Sequence, residues 1–397
     1  MSASTAARPR VGAAIFLAHV LLHQVVIMAA RVTTSYRVIE LDLAVEWLGV
    51  IAASFAVLPV LVALSTGALL DRHGERPVML AGAASGLLGA AGLLLLPSSI
   101  LLLVVCNLLL GLSHLFCVIA QHAYTAGNGP AARRDLRFGH YTAVVSLGQV
   151  VAPLLIAVVG GADAVPDTTG LFALAVAAAL FSAMAVLAMA PLPRPQFLEP
   201  GERNGVRTVL RYPGVPAAIA VGVAVMCSID LLMIYLPVLG AEALIPAATV
   251  AVLLTVRAAV SLLSRLAFGI LLRTMGRRAL MTAAMAALAF GFGVLVFPLP
   301  VWAMHGAMMV TGFGIGVATP LTLSWITGIV PEQARGLALS LRLSGNRAGQ
   351  FVLPLVAGLV IGGWGIGSVF GLLAVVLVGL TGVSHAAIRD DKRNENC

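Results

Sequence analysis

The chain carries little charge: 10% of its 397 residues are Asp, Glu, Lys or Arg, against 60% hydrophobic. A soluble globular domain carries about 25% charged residues, so this apolar mass cannot be wrapped in a solvated shell. Lysine is nearly missing, with Lys392 alone among 24 basic residues. That arginine bias suits a GC-rich bacterial genome and hence a bacterial inner membrane. Cysteine is scarce too: Cys106 and Cys117 share one apolar stretch, Cys227 lies in another, and Cys397 ends the chain. This pattern offers neither a disulfide framework nor a metal-ligand spacing. Also missing are H-E-x-x-H, G-x-x-x-x-G-K-[ST] and G-x-S-x-G. The expectation is a protein that is not an enzyme and holds no cofactor. Any work it does draws on an ion gradient or on its substrate's own gradient.

What the sequence has instead is long apolar runs. They lie near 11–30, 46–70, 78–96, 100–122, 139–161, 170–190, 214–238, 248–272, 279–297, 301–329, 336–361 and 366–388. Each approaches or exceeds the roughly 20 residues that cross a hydrocarbon core as a helix. A membrane barrel would need short alternating strands, and no alternation appears. The first run follows a basic N-terminus but is too long for a signal-peptide core and lacks a small-residue cleavage site. The expected fold is an all-α polytopic membrane protein with twelve transmembrane helices, spans 1 to 12.

The net charge of +8 reports orientation. With a cytoplasmic N-terminus, only Arg31, Arg37, Arg257, Arg265, Arg342 and Arg347 fall outside the cytoplasmic segments, so 24 − 6 = 18 basic residues lie inside. That is the positive-inside bias. It places both termini in the cytoplasm and leaves no basic patch for nucleic acid.

The chain repeats itself. Gly67, Leu69, Leu70, Gly74 and Arg76 recur 202 residues later as Gly269, Leu271, Leu272, Gly276 and Arg278. Gly148-Gln149-x-Val151-x-Pro153-Leu154 recurs 201 residues later as Gly349-Gln350-x-Val352-x-Pro354-Leu355. Six spans separate the copies, so the halves are parallel repeats. The domains read as a six-helix bundle over 1–190, a cytoplasmic connector over 191–213 and a second bundle over 214–397. Pro191, Pro193 and Pro195 open the connector, and Arg203, Arg207 and Arg211 follow at helical spacing. It is either a solvated linker or a segment lying on anionic lipid.

The loop Gly67-x-x-x-Asp71-Arg72-x-Gly74-x-Arg76, with its degenerate copy Gly269-x-x-x-Arg273-x-x-Gly276-x-Arg278, resembles the signature of the major facilitator superfamily. The resemblance spans the whole chain. It implies secondary transport by alternating access around a central cavity, and a monomer in the lipid bilayer. It also implies a cytoplasmic gate at Gly67, Asp71, Arg72, Gly74, Arg76, Gly269, Arg273, Gly276 and Arg278. On its own physics, Gly67 would allow close helix packing and Gly74 a tight turn. Asp71 would accept hydrogen bonds from a neighbouring helix N-terminus, which the resemblance implies is that of span 11. Arg72 and Arg76 would join that gate or merely anchor the topology. Gly139-x8-Gly148-x3-Ala152-Pro153 resembles span 5 of the proton-coupled drug exporters. Those exporters, however, carry an arginine where Asn107 precedes Gly111.

Charges at mid-bilayer cost about 2.5–3.5 kcal/mol on insertion scales and mark function by default. Here they are Arg257 and Arg265 on span 8, Arg342 and Arg347 on span 11, Arg31 near the outer end of span 1, and Asp230 on span 7. The excess of arginine points to a small organic anion, because guanidinium pairs with carboxylate and phosphate through paired hydrogen bonds. A drug exporter is the alternative and a membrane sensor a minor one. At 3.6 residues per turn, Arg342 and Asn346 share a face while Arg347 points about 140° away, so one of the two arginines braces a helix interface. Asp230, an isolated deep carboxylate, is the expected proton carrier, with His19 and His23 behind it. Asn107, His114 and Gln121 form one stripe of span 4, and the resemblance, in which that helix lines the pathway, implies that the stripe faces water. Gly312, Gly314 and Gly316 before Pro320 serve either bending or close packing.

Overall fold

The computed structural model describes residues 4–96, 99–127, 134–189 and 206–388. Every regular element among them is a helix. The first six are α1 (Ser4–Glu40), α2 (Trp47–His73), α3 (Glu75–Leu95), α4 (Ile100–Gly127), α5 (Arg134–Val159) and α6 (Thr168–Ala188). A short α7 (Val206–Leu210) follows, then α8 (Val215–Glu242), α9 (Ala247–Leu266), α10 (Phe268–Met275) and α11 (Arg277–Val294). The chain closes with α12 (Val301–Ile329), α13 (Glu332–Trp364) and α14 (Gly367–Ala387). Among the described residues, ten helices are long and apolar enough to cross a bilayer, and the bent α2 makes eleven. With α11, whose 18 residues begin on two arginines, the count agrees with twelve. Of the expected connector, Arg207 lies in α7, whereas Pro191, Pro193, Pro195 and Arg203 fall outside the described residues.

Three spans differ from the sequence reading. The first does not stop near residue 30: α1 runs to Glu40, because no proline or glycine stands between residue 30 and Asp42, which turns to a positive φ of 51°. Arg31 and Arg37 therefore ride on the helix rather than in a loop. Span 2 bends by 63° between Val62 and Ser65, one turn after Pro59, which removes a ladder hydrogen bond. Span 8 is interrupted at Ala267, giving α9 and α10. The repeated loops turn on Gly74 (φ 84°) and Gly276 (φ 77°), a backbone region open to glycine.

The chain forms two compact units, Met1–Leu198 with Gly240–Val252, and Glu199–Leu239 with Leu253–Cys397. In the first, α1 packs on α4, α5 and α6, α3 on α4 and α6, and α2 on α4. The Gly240–Val252 segment joins it where the Ala247 amide donates to the Asp163 carbonyl at 2.8 Å. In the second, α11 packs on α12 and α14, and α13 on α12, α14 and α7. Outward faces carry exposed Leu88, Leu101 and Phe181 in one unit and Leu263, Phe290 and Val375 in the other. Such faces suit lipid tails rather than water.

The repeated glycines explain themselves in three dimensions. A Cβ on Gly148 would strike Gln24 of α1, and one on Gly349 would strike Val223 and Cys227 of α8. The same contact, fifth helix against first, is thus made twice. Gly312 and Gly316 leave no room for a Cβ against the backbone of Arg257 and Ser261 on α9, and Gly314 none against Ala284 on α11. These glycines let helix backbones approach closely. Gly67 differs from the expectation of close packing: an added Cβ meets nothing described within 4 Å there, and the same holds at its counterpart Gly269.

Candidate functional site

Two polar clusters are buried in this apolar scaffold, one in each unit. In the first, α1 places His19 and His23 one turn apart, with ring centroids at 6.0 Å. His23 stacks on His114 of α4 at 5.8 Å, and His114 lies 5.7 Å from Phe55 of α2. The Arg31 guanidinium covers the other end, 4.3 Å above the Phe55 ring. His19 Nδ1 reaches the Ser182 hydroxyl at 2.9 Å and the Ser182 carbonyl at 3.3 Å. A carbonyl only accepts, so this contact assigns the proton to Nδ1 and leaves Nε2 as the basic nitrogen. Nε2 of His19 and of His23 is buried without a hydrogen-bond partner among the described residues. The result is a continuous column, Ser182–His19–His23–His114–Phe55–Arg31, running through the unit.

Two residues of the span 4 stripe, Asn107 and Gln121, are buried rather than facing water, whereas His114 is half-buried. Asn107 is buried and its amide donates to the Leu103 carbonyl of its own helix at 2.9 Å. Gln121 is fully buried and accepts from the Tyr141 hydroxyl at 3.3 Å. Of the stripe His114 joins the column, stacking on His23, while Asn107 and Gln121 make the other contacts given above.

The second unit holds the arginines. Arg257 on α9 is the largest fully buried side chain, and none of its three guanidinium nitrogens has a hydrogen-bond partner among the described residues. Arg342 on α13 is 7% exposed, donates to the Thr322 hydroxyl at 3.2 Å, and lies across Gly222 of α8. Any side chain at position 222 would displace it. Asn346 follows one turn on, its Oδ1 buried without a hydrogen-bond partner among the described residues.

Asp230 is not isolated, contrary to the sequence reading. Gln350 donates to its carboxylate at 2.6 Å and accepts from Arg347 at 2.9 Å. The glutamine amide thereby fixes a relay from α13 to α8, and Arg347 is the arginine that braces an interface. Gln350 was visible in the repeat but carried no assigned role. Ser182, Phe55 and Thr322 gave no signal in the sequence, being ordinary residues on distant helices.

The Major Facilitator Superfamily profile matches residues 16–244 and 218–395. The chain belongs to the Major Facilitator Superfamily. It is accordingly a multi-pass membrane transporter. Solved structures share the fold of this superfamily member at low identity. A mutant of the nucleoside transporter NupG matches with a TM-score of 0.78 at 14% identity, covering 94% of this chain and 99% of its own. The xylose transporter XylE from E. coli matches with a TM-score of 0.70 at 16% identity, covering 96% and 97%. A peptide-conjugate complex of a POT family transporter matches with a TM-score of 0.73 at 13% identity, covering 94% and 95%. No curated protein sequence matches the chain.

The superfamily loop sits at the junction of α2 and α3. Asp71 and Arg72 are exposed at the end of α2. Arg76 reaches back to α6, donating to the Val186 and Leu187 carbonyls at 3.3 and 2.6 Å. It thus satisfies carbonyls that the helix end leaves free. Arg137 does the same for α4 at Thr125 and Ala126, and Arg335 for α12 at Thr327. In the copy, Arg273 is the basic residue in the last turn of α10, just before Gly276.

Proposed function

We propose that this superfamily member carries a small organic anion across a bacterial inner membrane by alternating access, coupled to protons. Both termini face the cytoplasm and the protein works as a monomer. The observation that carries the reading is Arg257, a wholly buried cation without a hydrogen-bond acceptor among the described residues. An uncompensated buried charge costs several kcal/mol, and a carboxylate or phosphate would supply both the opposite charge and the acceptor oxygens. Arg342 adds a second buried cation whose Nε lacks a hydrogen-bond partner among the described residues.

The gate residues Asp71, Arg72 and Arg76, with Arg273 and Arg278 in the copy, act in conformational exchange rather than in binding. The neighbours named for nucleosides, xylose and a peptide conjugate share the fold only and do not choose the substrate. The drug-exporter alternative gains nothing from Asn107, whose amide is bound to its own helix. The test is a thermal-stability screen of the purified chain against mono- and dicarboxylates, organic phosphates, neutral sugars and cationic drugs. Stabilisation by anions alone is expected. Stabilisation by cations alone would return the exporter reading.

A further inference from the structure

Protons need a seat, and the deep carboxylate is already engaged: Asp230 is held by Gln350, itself held by Arg347. We propose that the stacked imidazoles of His19, His23 and His114 are the proton-binding site of the transport cycle. The proposal rests on the proton-coupled reading above and places that proton in the first unit.

The geometry favours a single proton there. His19 is pinned by Ser182 in the tautomer that bares Nε2, and Nε2 of His23 is equally buried and without a hydrogen-bond partner among the described residues. In the neutral His19 ring Nε2 is an open acceptor, and it is the nitrogen that a proton would take. Imidazole is also the side chain whose ordinary titration lies near neutral pH. A proton that binds one ring nitrogen converts that ring to imidazolium. Loss of the proton from the other nitrogen restores the neutral ring with the tautomer exchanged, so each transfer leaves charge and atoms balanced. Rings 6.0 and 5.8 Å apart do not share two positive charges in an apolar interior, so the column takes one.

The charged state has a mechanical consequence. Arg31 lies one aromatic ring away, on Phe55, so imidazolium at His114 repels the guanidinium and loosens its seat on α2. On the helices packed against α1, the other titratable and charged groups among the described residues include Cys106, Cys117, His122 and Tyr124 on α4, Arg137, His140 and Tyr141 on α5, Glu75 and Arg76 on α3, and Asp71, Arg72 and His73 on α2. Glu75, His122 and Tyr141 belong to the end of the unit where α2 meets α3. The α6 helix carries no titratable side chain and meets the column at Ser182. Protonation is therefore read by α1, α2 and α4 together.

The experiment uses the full chain in lipid nanodiscs with protons as the only probe. Histidine nitrogen resonances report imidazolium, and labelling of an Asp163→Cys variant reports conformation. The column is expected to bind one proton, with the labelling rate changing about tenfold at the same midpoint. His23→Gln should abolish both effects, His114→Gln should move the midpoint by about one unit, and Asp230→Asn should leave both in place. A pH-dependent labelling rate that survives His23→Gln and disappears in Asp230→Asn overturns the column while leaving proton coupling intact. Labelling that ignores pH in the unmutated protein overturns proton coupling together with the column. Failure of the anion reading registers separately, in the stability screen.

Discussion

Arg257 offers the sharpest test, because two readings of it predict opposite signs. If it is a structural residue, replacing it should weaken the fold. If it waits for an anion, the ligand-free protein bears an uncompensated charge, and Arg257→Met should stabilise it. Methionine keeps most of the volume and bends to fill irregular space. Gly312 meets the Arg257 backbone rather than its side chain, so the helix contact survives the change. Replacing buried ions by packed apolar groups is neutral or stabilising by about 1–4 kcal/mol. Binding should move the other way. Removing one partner of a desolvated charge pair costs about 2–5 kcal/mol, or about 30-fold to several thousand-fold in affinity at 1.4 kcal/mol per decade. The assay is thermal unfolding in detergent, with and without the anions that stabilise the unmutated chain. A variant that unfolds more readily without ligand, yet keeps its full anion response, refutes the argument.

Three further outcomes are expected. Cysteines at positions 163 and 299 should react with impermeant thiol reagent only from the periplasm, and those at 134 and 275 only from the cytoplasm; labelling of 134 from outside would undo the twelve-span orientation. Asp71→Asn should abolish transport while ligand affinity stays within about a few fold, since Asp71 is exposed at the end of α2 and far from every buried arginine in the sequence; a large loss of affinity with normal exchange would move it into the binding site. Gly312→Val should destabilise the second unit by about 1–3 kcal/mol by overpacking, whereas Gly306→Val, with nothing described within 4 Å, should be nearly neutral; equal effects in thermal unfolding would contradict the packing role.

The sequence carried the helices well, because a span is a one-dimensional property: about 20 apolar residues in a row. It carried the repeat for the same reason. What it could not carry were features set by encounters between helices. Nothing in residues 31–40 reveals that α1 continues past the expected span, since the signal there is only the lack of a breaker. His19 and His23 are legible as one face, but their column needs His114, Phe55 and Ser182 from three other helices. Asp230 looked isolated because Gln350 stands 120 residues away. The glycines of α12 supported two explanations until the α9 and α11 backbones were found against them.

The duplication and the chemistry obey different constraints, and the comparison of Gly148 with Gly349 shows why. A glycine at a close helix crossing is held in place by sterics alone, so both copies keep it, one against Gln24 and the other against Val223 and Cys227. The polar residues around those crossings are under no such symmetry. In α1 the inward face carries two histidines and Arg31, whereas α8 carries Asp230 and the bare Gly222 on which Arg342 rests. A symmetric scaffold thus holds an asymmetric set of charges. On the proposed reading that asymmetry is functional. A proton and an anion bound in one cluster would neutralise each other directly and leave little to drive a conformational change. Held in separate units, each ligand alters the charge balance of its own helices, and the cycle can require both before the protein moves.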